Sequence, residues 1–149
     1  MEEVFSEGQT KIYKNKQAFP RAFFVSSVKS VSDRQEAIKS LFDENVDLHS
    51  TAIVEDWDKG ALEFSSGEAK IVSYTANKIV VSTNSNSLPE GAASLQAGQL
   101  FLVFMDTYYP TWHATIDGVE TKIYITNYTF RGIVVPAGNH TVIFSNRLL

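Results

Sequence analysis

The feature that most constrains this chain is a pair of turn signals set between alternating segments in its last third. Trp112, Ala114 and Ile116 alternate with Thr111, His113 and Thr115, and the segment ends at Asp117-Gly118. A period of two puts the apolar set on one face of a strand, and Asp-Gly is among the strongest short hairpin signals. Ile123 and Ile125 mark the return strand. Gly132 to Val135 and Thr141 to Ser145 then flank Pro136-Ala137-Gly138-Asn139 and read as another hairpin. Short strands with turns at such intervals predict a sandwich or barrel.

The rest of the chain follows the same pattern. Leu100 to Met105 is apolar on both alternating sets, which suits a central strand covered on both sides. Ala22 to Val28 reads as one apolar strand, and Ala69 to Thr75 with Lys78 to Thr83 as a hairpin linked through Asn77. The polar stretch Ser82 to Gly91 is breaker-rich and reads as a long loop. One helix is predicted near residues 33–43, where Ser32 and Gln35 have capping-box spacing and Ala37, Ile38, Leu41 and Phe42 form an apolar stripe. The expected fold is all-β, a jelly-roll-like β-sandwich over residues 1–149 as a single domain, with one short peripheral helix.

Composition narrows the chemistry. The 149 residues carry 13 Lys and Arg against 17 Asp and Glu, for a net charge of −4. No basic run is present that could neutralise a row of phosphates, so nucleic acid is not an expected partner. There is no cysteine, which excludes disulfides and thiolate metal sites. No signal-peptide pattern opens the sequence, and no apolar stretch approaches the roughly 18–20 residues that span a bilayer. His49, His113 and His140 lack a partner at the spacing of a metal site, so neither metal nor cofactor is expected. His140 shares its strand alternation with Val142 and Phe144 and reads as a packed residue at a strand end.

Two clusters could still carry chemistry. Glu55, Asp56 and Asp58 surround Trp57, and paired carboxylates at suitable separation would permit glycoside hydrolysis. Acidic residues at a strand end more often form a solvated turn. No Gly-x-Ser-x-Gly elbow, Walker A sequence or dinucleotide fingerprint occurs. The second cluster is Tyr108-Tyr109-Pro110-Thr111-Trp112-His113, followed by Asp117, Asn127, Tyr128 and Arg131. Aromatic faces beside directed polar groups suit a sugar cleft, which makes Tyr109, Trp112, His113, Asn127 and Arg131 the candidate ligand-binding residues. The same run also reads as a structural corner, with Trp112 in the core and Pro110 fixing the turn. Asn127 and Arg131 have no obvious turn role, and either satisfy buried backbone groups or face a glycan.

Residues 108–118, then Asn127 and the run from Phe130-Arg131 through Val134-Val135-Pro136-Ala137-Gly138-Asn139-His140-Thr141-Val142, resemble the signature near the C-terminus of YfhO-type bacterial membrane proteins. Tyr13-Lys14-Asn15 and Phe19-Pro20-Arg21-Ala22 are similar to a second block that opens the same domain, so the resemblance brackets nearly the whole chain. Thr111 departs from it, standing where the family usually has Gly; Gly permits positive φ there and Thr does not. The sequence ends at Arg147-Leu148-Leu149, about where the family's final membrane helix is expected to start.

That resemblance implies a piece of a multispanning, glycosyltransferase-like membrane protein, lying on the extracytoplasmic face. The catalytic loops of such enzymes lie between membrane spans, so the expected role is a non-catalytic accessory domain. Its expected partners are cell-envelope polysaccharide or the membrane part of the same protein. The alternatives are a free-standing secreted carbohydrate-binding module and, third, a small glycoside hydrolase.

Overall fold

The computed structural model describes residues 1–60, 66–85 and 98–147. In chain order the strands are β1 (Glu2–Glu7), β2 (Thr10–Lys14), β3 (Ala22–Val25) and β4 (Ser27–Val31), followed by helix α1 (Arg34–Leu41). After the helix come β5 (Thr51–Glu55), β6 (Glu68–Tyr74), β7 (Lys78–Asn84), β8 (Gln99–Phe104) and β9 (Trp112–Ile116). The last four are β10 (Val119–Thr121), β11 (Tyr124–Thr126), β12 (Phe130–Pro136) and β13 (Asn139–Asn146). The fold is mainly β and sandwich-like, as the strand pattern predicts.

A five-stranded sheet, ordered β10-β9-β13-β7-β6, faces a six-stranded sheet, ordered β3-β8-β12-β11-β5-β4. Between them lies a core that includes Ile79, Val81, Val142 and Phe144 from one sheet and Leu102, Phe104, Ile133 and Val135 from the other. The six-stranded sheet has a second buried face, where Phe101, Val103, Val25, Ala52, Val54 and Tyr124 meet. β8 supplies side chains to both cores, which is why both of its alternating sets are apolar. Gly132 on β12 lets a ring lie on the backbone: a Cβ there would sit 2.5–2.6 Å from two Phe101 ring atoms.

The chain repeatedly changes layers, and here the sequence reading needs correcting. The Ala22–Val28 segment is not one strand. It breaks at Ser26, and β3 pairs with β8 while β4 pairs in parallel with β5. β3 and β4 are therefore the two opposite edges of one sheet, separated by a single residue, so the sheet curls round until its edges meet at Ser26. Ser50 secures the crossing, its carbonyl accepting from the Ser26 and Ser27 amides at 2.9 and 3.0 Å. The Pro136–Asn139 turn is likewise not a hairpin, because β12 pairs with β8 and β11 whereas β13 pairs with β7 and β9. That turn carries the chain across the core, and Ser85 ties it down by donating its amide to the Gly138 carbonyl at 3.1 Å and accepting from the Gly138 amide through Oγ at 2.7 Å.

Other expectations hold with shifted boundaries. Asp117 and Gly118 take positive φ (50° and 86°) and make the expected tight hairpin, but its return strand is β10 (Val119–Thr121); Ile123 lies in no strand, and Ile125 belongs to β11 in the six-stranded sheet. β6 and β7 form the expected hairpin, but β7 runs to Asn84, into the stretch read as a loop; residues 86–91 of that stretch lie outside the described ones. Asp33, not Ser32, caps α1. Its Oδ1 accepts from the Glu36 amide at 2.8 Å, and the Glu36 carboxylate accepts from the Ser32 amide and hydroxyl. Ala37 is buried and Leu41 packs inward over Val31 and Ile53, whereas Ile38 and Phe42 are exposed, Phe42 at 84%, and lie outside the inward stripe. No described helix is long and apolar enough to cross a membrane.

Candidate functional site

An open groove of about 690 Å³ runs between the β9–β10 hairpin and the facing ends of β11 and β12, within the usual size range of ligand sites. Ile116, Val119, Val134 and Pro136 give it apolar walls, and Asp58, Lys122 and Tyr124 gather at one side. Tyr124 is positioned by β11 with its ring in the second core, 5.0 Å from Trp57, and its hydroxyl donates to Asp58 Oδ1 at 2.7 Å. Lys122 donates to Asp58 Oδ2 at 3.0 Å and lies 4.5 Å above the Tyr124 ring. The Tyr124 and Lys122 bonds hold the Asp58 carboxyl below the usual carboxylate range. Burial, reinforced by Asp58, pushes the Tyr124 phenol up.

Asp117 and His140 lie at another part of the groove. His140 Nδ1 is 2.6 Å from Asp117 Oδ2, and Nε2 is 3.1 Å from the Ala137 carbonyl. An ionised carboxylate and a carbonyl can only accept, so both bonds together require a proton on each ring nitrogen. These two acceptors raise the His140 pKa. Asp117 also accepts from the Thr141 amide at 2.9 Å, and His140 and that amide hold its carboxyl low. The pair thus clasps the β9–β10 turn to the start of β13. A second pair, His113 Nδ1 and Glu120 Oε1 at 2.8 Å, crosses the hairpin and lowers the Glu120 pKa.

The candidates singled out in the sequence do not share one open face. Tyr109 is 60% exposed in the loop before β9, and His113 lies on the outer side of the hairpin. Trp112 belongs to the core between the sheets. Arg131 is 2% exposed and its guanidinium carbon sits 3.7 Å from the Trp112 ring centroid, with the Phe104 and Phe144 rings at 5.8 and 5.9 Å. Its Nε and Nη2 donate to the Thr107 carbonyl at 3.1 and 2.8 Å. Burial lowers the Arg131 pKa, and Asp106 opposes that shift. Asn127, at φ 48°, acts as a backbone surrogate: Oδ1 accepts from the Ile53 amide at 2.9 Å while its own amide donates to the Ile53 carbonyl at 2.7 Å.

The acidic trio separates as well. Glu55 lies at the end of β5, near Arg34 and Asp33 at the start of α1, and burial raises its pKa. Asp56 turns the chain at φ 54°, and of the three only Asp58 lines the groove. Lys122, Tyr124, Glu120 and the Asp117–His140 clasp were not singled out as site residues by sequence. Asp58 and Tyr124 are 66 positions apart, so no spacing announces their contact. For the clasp a signal did exist, since Asp117 and His140 flank two turns whose strands become neighbours once β13 pairs with β9. Among known proteins, no family model, no curated protein and no solved structure matches this chain.

Proposed function

We propose that this chain is a non-catalytic, extracytoplasmic accessory domain of a membrane glycosyltransferase-like protein, and that its groove contacts cell-envelope polysaccharide. The observation that carries the reading is the groove itself. It is open and of ligand size, with apolar walls for C–H faces and a Lys122–Asp58–Tyr124 group for hydroxyls. Its carboxylates argue against hydrolysis. Glycoside cleavage needs one carboxyl kept protonated, but Asp58, Asp117 and Glu120 are all drawn downward. Glu55, whose pKa is raised, does not line the groove. The polar residues of the YfhO-like signature are engaged in internal bonds, as suits residues that specify a fold.

The test is a binding titration of envelope polysaccharides with parallel measurement of released reducing ends. Saturable binding that is lost in Lys122→Ala and Asp58→Ala, with circular dichroism unchanged and no release, is the expected result. Hydrolysis would overturn the non-catalytic reading. The alternative of a secreted carbohydrate-binding module draws on the exposed Tyr109, and is favoured if Tyr109→Ala abolishes binding while the groove variants bind normally.

A further inference from the structure

Away from the groove, Phe19, Phe23 and Phe130 wall a small half-open pocket of about 140 Å³, together with Leu48, Met105 and Asn127. The Phe19 and Phe23 rings lie 5.5 Å apart, and His49 stacks on Phe19 at 4.0 Å, which holds that wall in place. Every side chain that lines the pocket is apolar except Asn127. Asn127 is 9% exposed, and its Oδ1 is committed to the Ile53 amide. Its Nδ2 makes no hydrogen bond among the described residues and is not one of their fully buried polar atoms, so it stays open to solvent.

The size and the single donor define an occupant. A pocket near ~150 Å³ holds one benzene-sized ring. Water entering this half-open pocket finds one polar side chain, so it is poorly ordered, and an apolar ring that displaces it gains affinity. A sugar would leave most of its hydroxyls unpaired against phenyl rings. We infer that the Phe19–Phe23–Phe130 pocket is a binding site for a small neutral aromatic molecule bearing one hydrogen-bond acceptor, which takes the free Asn127 Nδ2–H. Met105 lets the pocket adjust to the ring, since thioethers are flexible and contact aromatic edges favourably. The site shares no residue with the polysaccharide groove and does not depend on it.

The test is an NMR shift titration of the folded chain with benzyl alcohol, toluene and glucose. Benzyl alcohol should saturate shifts at Phe19, Leu48, Met105 and Asn127, and toluene should bind there about two- to tenfold more weakly for lack of the acceptor. Asn127→Asp keeps an oxygen for Ile53 but removes the donor, and should erase the preference for benzyl alcohol. Leu48→Trp fills the pocket from its rim and should abolish both titrations, which decides the matter if Asn127→Asp fails to fold. Absence of localised shifts with both aromatics, a preference that survives Asn127→Asp, binding unchanged in Leu48→Trp, or glucose saturating the same residues would each overturn the assignment.

Discussion

Arg131 on β12 and His140 on β13 are two cations in one C-terminal segment, and each gives protons to a backbone carbonyl, yet they are held in opposite ways. Arg131 is 2% exposed and framed by three aromatic rings, with no carboxylate within ion-pair distance among the described residues. His140 keeps its side chain 20% exposed and rests against a carboxylate at 2.6 Å. The first depends on shape: the fork fits Thr107, and the ring faces repay part of its desolvation. The second depends on protonation. A charge buried by packing should be insensitive to mild pH change and costly to remove, whereas a charge held by a surface partner should be cheap to remove and pH-sensitive.

The strongest break of this contrast is Arg131→Ala, which empties a space between rings and strands the Thr107 carbonyl. It should cost about 3–5 kcal/mol in urea unfolding. A loss below about 1 kcal/mol would mean that the cage tolerates a void, and the contrast would fail. Arg131→Met sharpens it, since apolar replacement of a buried charge is often close to neutral and should recover most of that loss. Asn127→Ala leaves the Ile53 amide unpaired and should cost about 1–3 kcal/mol. Hydrogen exchange should then show Ile53 opening first. Gly132→Ala forces the Phe101 ring to shift and should cost a similar 1–3 kcal/mol, roughly, by overpacking.

The smallest effect belongs to the clasp. The folded His140 pKa is raised above its ordinary 6.5, so its contribution is complete below about pH 6.5 and fades as pH rises through the raised value. The folded Asp117 pKa is depressed below 3.8, so its contribution is complete above about pH 3.8 and fades as pH falls through the lowered value. The clasp is therefore strongest between those limits. His140→Gln should lower the melting temperature by about 2–4 °C near pH 5 and by less near pH 9. An equal deficit at both pH values would show that His140 acts by packing alone.

Strand positions were legible because period-two alternation is a local property, and the double apolar character of Leu100 to Met105 gave away the centre of the fold. Strand partners were less legible. Pro136-Ala137-Gly138-Asn139 has the same turn chemistry whether its strands pair or part, and what parts them is that Ile133 and Val135 face Val142 and Phe144 across the core. Ser26 gave no warning of a break, because nothing local distinguishes a strand from two strands serving opposite edges. In the site region, the sequence marked Asn127 and Arg131 as polar residues without a turn role; that fails for Asn127, which opens the β11–β12 turn at φ 48°, and both side chains bond to backbone groups. The groove was hidden because Asp58 meets Lys122 and Tyr124 only through tertiary packing.

The curled six-stranded sheet behaves as a bracelet. Its two edges are joined covalently at Ser26, so it cannot come apart there without breaking the chain. Its weakest link is elsewhere, between β5 and β11, where the ladder has one residue pair, Thr126 with Val54. Asn127 extends that short seam through its two bonds to Ile53 and so serves as the catch. A ring closed by the backbone on one side and by an asparagine on the other confines loosening of the sheet to one place and spares β8 and β12, on which both cores are built.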